Sequence, residues 1–382
     1  MSQSITRRSF FGLAGFAGAM AVTAGLGLQG TGLAAAADAE MHEVTDPHGN
    51  TYMIPSNIET CVIDQVPLAA TYVMYKGGSA EGLIGLSGST YKVIQQTLLP
   101  KIAPDILDVD TSFYTDGELN IEQLLTLHPD IVLYNSGSTK HRTLFDQAGL
   151  YSFGFSTTDG GSNPVELYAD WLRGLEQVFE EPGKMDEVIA WGKDLIDLVK
   201  ERTSKVADED RKRVMCLFNV SQGTPRVSGG DHGQGGNLFG HNWMKTINVI
   251  NVADEEVSAV DSVSMEMLYT WQPEIIFLTG KGQAGCTATE VLTNTVEGCD
   301  FEPLTAVQEG RVYSSNLGMW SWMTPNPDAP IVVLWMASIC YPELFEDIDL
   351  EEKTREYYKL GYNYDLTDED IDSIYEDSHL VK

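Results

Sequence analysis

Hydrolysis or group transfer needs a nucleophile beside a base, or a glycine-rich loop that can cradle phosphate. Neither occurs here in a working spacing. Gly85-Leu86-Ser87-Gly88-Ser89 misses the nucleophile-elbow pattern by one position. The stretch 229–240 contains Gly233-Gln234-Gly235-Gly236 but lacks the third glycine of a dinucleotide loop, and no P-loop pattern is present. No catalytic residue is assigned, and an exported hydrolase stays only as an alternative. A divalent-metal site needs three or four converging nitrogen or oxygen donors. The seven histidines (His42, His48, His128, His141, His232, His241 and His379) form no HxH or HxxxH pair. Only His141, His232 and His241 fall near loops that follow predicted strands, so free-metal binding is a second alternative without a ligand set. Five cysteines, Cys61, Cys216, Cys286, Cys299 and Cys340, include no CxxC. Cys286 and Cys299 bracket a short loop, and the sequence leaves open whether they pair.

Non-covalent binding has more to work with. In open α/β sheets, ligands sit beyond the carboxyl ends of the strands. Here those ends lead into loops 64–67, 135–140 and 156–163, and later into 221–236, 279–285 and 314–323. The loops are rich in Gly, Ser and Asn, which leaves backbone amides open to a ligand. Tyr134, Asn135, Arg226, His232, Lys281, Trp320 and Trp322 are the candidate cleft residues. With Met319 and Met323, the aromatics among them would form an apolar wall for a large planar or chelated ligand. One of the two tryptophans is expected to pack under its own loop instead. Cationic partners are few: Lys140, Arg142, Arg226 and Lys281, of which Arg226, in a Gly-rich loop, is the most suggestive.

The elements that would position these residues are repeated. Residues 120–134 read NIEQLLTLHPDIVLY and residues 264–278 read SMEMLYTWQPEIIFL, 144 positions apart without a gap. Each copy opens on an N-cap residue, Asn120 or Ser264, runs as a two-turn helix, stops at Pro, and continues as an apolar run with the character of a buried parallel strand. Two such units predict an α/β fold: two similar α/β lobes with mainly parallel sheets, joined by one long α-helix. The boundaries are an N-terminal lobe over 43–182, a bridging helix over 183–207, and a C-terminal lobe over 211–382. A helix of about 24 residues spans about 36 Å, and such a rod limits hinge motion to a few degrees. The acidic, aromatic stretch 342–377 reads as an ordered helical cap on the second lobe.

The 382 residues carry 24 basic and 56 acidic side chains, a net charge of −32. Only Arg7 and Arg8 are charged before Asp38, so the remainder carries −34. That field repels phosphate backbones and anionic membranes, which excludes nucleic acid as a partner. Residues 1–37 have the order of an export signal: a polar start, an apolar Gly/Ala-rich stretch and small residues at 34–37. Arg7-Arg8 followed by Phe10 resembles the twin-arginine signal. The protein is therefore expected outside the cytoplasm, periplasmic or at the cell surface, with an uncleaved N-terminal anchor as the alternative to cleavage.

The paired helix–Pro–strand units and the single bridging helix resemble the substrate-binding proteins of bacterial ABC importers for iron–siderophore, haem and cobalamin. AVQEGRVY at 306–313, YPELFEDIDL at 341–350 and YYKLGYNYDLTDEDI at 357–371 carry the resemblance further. It covers roughly 43–375. It implies a monomeric, non-enzymatic protein with no intrinsic cofactor, which captures an iron complex, haem or corrinoid between its lobes. Cargo would pass to an ABC permease driven by its own ATPase. It further implies that Glu122 and, in the repeat, Glu266 meet arginines of the permease; a first-turn glutamate is equally accounted for by the helix dipole. Oxyanions such as molybdate or tungstate are the alternative cargo on this fold.

Overall fold

The computed structural model describes residues 40–115, 118–157, 163, 165–233, 236–314 and 318–376. Residues 1–37, which carry the expected export signal, lie outside the described residues. Glu40–Lys382 forms one compact unit. Strands β1 (Met41–Thr45) and β2 (Thr51–Pro55) form an antiparallel hairpin. The first lobe then runs β3 (Cys61–Ile63), α1 (Val66–Tyr75), β4 (Leu83–Leu86), α2 (Gly88–Ile94) and α3 (Leu99–Ile102). A short hairpin, β5 (Tyr114–Thr115) and β6 (Glu118–Leu119), precedes α4 (Ile121–Thr126), β7 (Ile131–Asn135), α5 (Thr139–Ala148), β8 (Ser152–Phe155) and α6 (Leu167–Val178). Helix α7 (Asp186–Thr203) leads into the second lobe.

That lobe contains β9 (Arg213–Ser221), β10 (Thr224–Ser228), α8 (Phe239–Thr246), β11 (Ile250–Asn251), β12 (Val260–Ser262), α9 (Met265–Trp271) and β13 (Ile275–Leu278). It continues through α10 (Lys281–Ala284), α11 (Ala288–Leu292), α12 (Thr305–Gln308) and β14 (Val312–Ser314). The chain ends in α13 (Ala329–Cys340), α14 (Leu350–Tyr362) and α15 (Asp368–Tyr375).

The first sheet is parallel throughout, in the order β4-β3-β7-β8. In the second, β11, β13 and β14 all run parallel to β9, giving β11-β9-β13-β14, the same second-first-third-fourth winding. The hairpin strands β10 and β12 extend that sheet on the β9 side. The repeated unit is thus the third helix–strand passage of each sheet, α4–β7 and α9–β13. Its caps form as the residue types require: the Asn120 side chain accepts from Gln123 N, and Ser264 from Met267 N.

Period-two alternation divides each strand between two cores. Ile131 and Leu133 of β7 and Ile275 and Phe277 of β13 enter one central core shared by both lobes. Val132 and Tyr134 face a separate outer core of the first lobe, and Ile276 and Leu278 that of the second. Helix α13, apolar on every side and buried along nearly its whole length, fills the central core, as an all-apolar helix must. No described helix is long and apolar enough to cross a membrane.

Two expectations need adjusting. The helix between the lobes covers 18 residues, about 27 Å, because Gly183, at φ 82°, turns the chain before it and residues 204–206 turn after it. It is also embedded: a Cβ on Gly192 would stand 2.6 Å from Tyr168 Oη and 2.7 Å from Pro330. The acidic C-terminal helices are not a cap on the second lobe alone. Gly361 of α14 lies against Met74 of α1, where a Cβ would come within 2.8 Å, and Asp370 of α15 accepts from Lys101 Nζ of α3 at 2.6 Å. Tyr357 also packs on Trp191 of α7, with ring centroids 5.1 Å apart. All five cysteines are free, Cys286 buried and Cys299 half-buried; burial pushes the Cys286 thiol up to about 12.

Candidate ligand-binding cleft

Parallel winding puts every strand's carboxyl end of the first sheet on one edge. Asp64 follows β3, Ser87 follows β4, Asn135 ends β7 and Ser156 follows β8. Asp64 Oδ1 accepts from Asn135 N at 3.2 Å, and Asp64 Oδ2 lies 3.5 Å from His141 Nδ1 in the first turn of α5. The carboxylate is only 7% exposed. Burial raises its pKa, and the neighbouring imidazole opposes that rise. Tyr114 stands edge-on to the His141 ring at 6.2 Å, its hydroxyl pushed up by burial and by Asp64. Asn135 Oδ1 accepts from Gly137 N at 3.0 Å and from the Thr157 hydroxyl at 3.3 Å.

Three helices begin on this edge, α1, α2 and α5, so their positive dipole ends lie along it, although Thr90 N is taken up by Ser87, Thr139 N bonds Gly137 O, and Pro67 has no N–H to offer. Ser87 caps α2 by accepting from Thr90 N at 3.2 Å, and its hydroxyl donates to Thr90 Oγ1 at 2.7 Å. That occupation explains the near-miss of the elbow pattern: Ser87 is a cap, not a nucleophile. Helix α1 has no side-chain cap, and Nε2 of its N-cap residue Gln65 is buried without a hydrogen-bond partner.

The second sheet presents its own edge through Asn219, Thr279 and Ser314. A direct bond ties the two edges together, from Leu98 N, just beyond α2, to Gly318 O, just beyond β14, at 2.8 Å. Much of the second edge is internally satisfied. The Thr279 hydroxyl donates to Phe218 O, and the Ser321 hydroxyl to Thr279 O. Asn219 Oδ1 and Gln283 Oε1 are buried without partners.

The sequence-derived candidates divide on this geometry. Asn135 lies on the first edge. Tyr134 is 2% exposed and packs edge-on against Phe145 at 5.3 Å, so it belongs to the outer core rather than to a cleft wall. Trp322 is fully buried, with centroid distances of 5.4 Å to Trp335 and 5.7 Å to Tyr375. Met319 and Met323 are buried with it, and Trp320 is half-buried against the central core. The expected apolar wall is therefore turned inward. The anchor is Asp328, fully buried before α13, whose Oδ2 accepts from Trp322 Nε1 at 3.0 Å, Tyr358 Oη at 2.8 Å and Met319 N at 3.3 Å. Burial pushes its carboxyl up to about 6, against those three donors.

Arg226 lies over the Phe218 ring at 6.0 Å and donates to Val260 O at 3.3 Å, which commits its guanidinium to strand backbone. His232 is off the edge: β10 runs antiparallel, carrying the chain back from Ser221, and His232 Nε2 bonds Asp254 O at 2.7 Å on the lateral side of the sheet. Lys281 opens α10 directly after Gly280. Among the described residues no cluster of three or more His, Cys, Asp or Glu is arranged to hold a metal ion. Glu122 and Glu266 are exposed in the first turns of α4 and α9, and neither is in an ion pair among the described residues. These helices run antiparallel to the strands they precede, so both carboxylates stand toward the carboxyl edges. Reasoning from the sequence missed Asp64, Gln65 and Ser87 as individuals; the available signal was a polar residue directly after each short apolar run.

Residues 69–316 match the family model described as periplasmic binding protein. The chain belongs to that family. Its members are binding proteins rather than enzymes as a kind, and membership places the chain among exported proteins of ABC importers. It is 22% identical over 339 residues to the molybdate-binding protein MolA of Haemophilus influenzae, covering 84% of this chain and 90% of that protein. The structure of MolA bound to molybdate matches with a TM-score of 0.70 and 21% identity, over 85% of this chain and 99% of that one. A periplasmic solute binding protein of Veillonella parvula matches with a TM-score of 0.74 and 23% identity, over 88% and 97% of the two chains. Helicobacter pylori CeuE in a nickel–histidine complex matches with a TM-score of 0.67 and 19% identity, over 88% and 99%. These likenesses show the two-lobed fold.

Proposed function

We propose that the cargo is a compact oxyanion of the molybdate or tungstate class, captured between the facing edges and delivered to an ABC permease. One observation carries this reading. The first edge offers helix N-termini, hydroxyls and amides, while the apolar residues suited to a haem, corrinoid or siderophore complex are packed in the core. Uncharged donors and helix dipoles hold an oxyanion without a fixed cation, and they give a local positive focus within a strongly acidic protein. The likeness to MolA supports the same choice. Glu122 and Glu266 serve as docking points for permease arginines, and residues 1–37 direct export.

A thermal-shift panel of molybdate, tungstate, haem, ferric siderophores, cobalamin and divalent metals tests the cargo. Oxyanion at about 100 times its dissociation constant adds about 2.7 kcal/mol to stability. Stabilisation by haem, cobalamin or a ferric chelate, with none by either oxyanion, overturns the reading in favour of a metal-chelate carrier.

A further inference from the structure

We infer that Cys286 and Cys299 are a modification site: once outside the cytoplasm, an organic disulfide oxidises them to a disulfide that pins two loops of the second lobe to the tip of the β9–β10 hairpin. The pairing does not depend on what the cleft carries.

The five cysteines fall into two groups. Cys61, Cys216 and Cys340 are fully buried in the central core, where a thiol serves as a small apolar group. Cys286 belongs instead to the outer core of the second lobe, and Cys299 is half-buried against that same core. Both border one turn. Residues 222 and 223 close the hairpin, with Ser221 paired to Thr224 and Val220 to Pro225. On one side, a Cβ on Gly285, the residue before Cys286, would stand 2.7 Å from Val220 O. On the other, a Cβ on Gly298, the residue before Cys299, would stand 2.7 Å from Gly223 Cα. The Cys299 thiol donates to Gly223 O at 3.4 Å, and the Cys286 thiol to Ala284 O at 3.8 Å. Cys286 is within electrostatic reach of Cys299. A recess of 490 Å³ lies between the hairpin tip and the two loops, with Gly223, Gly285, Val296 and Gly298 in its lining. It brings a small reagent beside the residue that precedes Cys299. The segment between the two cysteines carries α11, which its own Thr287–Glu290 capping box holds.

Both groups are thiols in this structure. Burial raises both pKa values, that of Cys286 to about 12, so exchange starts at the more exposed Cys299. Its thiolate attacks the oxidant, forming a mixed disulfide and expelling one thiolate. The Cys286 thiolate then attacks the Cys299 sulfur and expels the second. The protein gives up two electrons and two protons, and one oxidant molecule becomes two thiols. Family membership places the chain in an exported compartment, where disulfides persist.

The test uses the full chain, purified under reductant and then incubated with oxidised glutathione. Free thiols are counted in denaturant after quenching, and intact mass and peptide mapping locate the products. The expected result is the loss of two thiols with no glutathione retained, and one cross-link joining the peptides of Cys286 and Cys299. Closing a loop of about 15 residues raises the thermal midpoint by about 4 °C, and dithiothreitol reverses it. Cys299→Ser, at a half-buried position, abolishes the cross-link and leaves Cys286 a thiol. Cys286→Ser leaves Cys299 carrying one glutathione. Wild-type protein that keeps all its thiols, stops at a glutathione adduct, or links a different pair of cysteines overturns the inference and leaves the oxyanion reading standing.

Discussion

At the carboxyl edge of the first sheet, Asp64, Ser87, Asn135 and His141 hold polar groups over helix N-termini, with a buried Gln65 amide left without a partner. At the corresponding edge of the second sheet, Thr279 and Ser321 bond back to main-chain carbonyls, and Trp322 and Met323 turn down into the core. The windings are the same, so the difference lies in the loops. On the oxyanion reading proposed above, the first lobe would read the ligand's chemistry and the second would act chiefly as a shaped, rigid wall.

If the division of labour is right, substitutions on the two lobes separate transport, stability and affinity. Glu122→Ala combined with Glu266→Ala takes one proposed docking carboxylate from each lobe. Uptake in cells is expected to fall at least tenfold, while molybdate affinity in calorimetry stays within about twofold; an affinity loss of tenfold instead shows that these carboxylates shape the cleft. Next in size is Trp322→Ala. Removing a fully buried indole costs about 3–5 kcal/mol, read as a shift in the urea midpoint. A cost below about 1 kcal/mol, with ligand affinity reduced, returns Trp322 to the cleft wall and the second lobe to a recognition role. The smallest effects are expected for Arg226→Ala and His232→Ala, whose side chains are bonded to Val260 O and Asp254 O. Each should leave molybdate affinity within about twofold, and a tenfold loss for Arg226→Ala makes the second lobe an electrostatic contributor.

The duplicated lobes were legible because local rules coincide twice: an N-cap, a short amphipathic helix, a Pro stop and an apolar strand at Asn120–Tyr134 and again at Ser264–Leu278. The loops that follow the strands were legible as a location but not as contents. A run such as Met319-Trp320-Ser321-Trp322-Met323 has the same composition whether it lines a cleft or fills a core. Its direction is decided by Asp328, several residues later, which holds Trp322 and Met319 from below. Similarly, Asp64 and His141 lie 77 positions apart in the sequence, and only the parallel pairing of β3 with β7 brings them together. The C-terminal helices were legible as ordered, from their aromatics, but nothing local reveals that Gly361 is small so that Met74 can approach.

That clasp has a consequence for biogenesis. Helices α14 and α15 are the last described elements to be synthesised, and they complete contacts made by α1 and α3, among the first. The N-terminal lobe is therefore expected to keep an unfinished flank until the C-terminal helices are available, since pairings between distant parts of a chain form late. The chain is therefore expected to complete its native packing only once all of it is available to fold, so its last two helices set when its first lobe is finished.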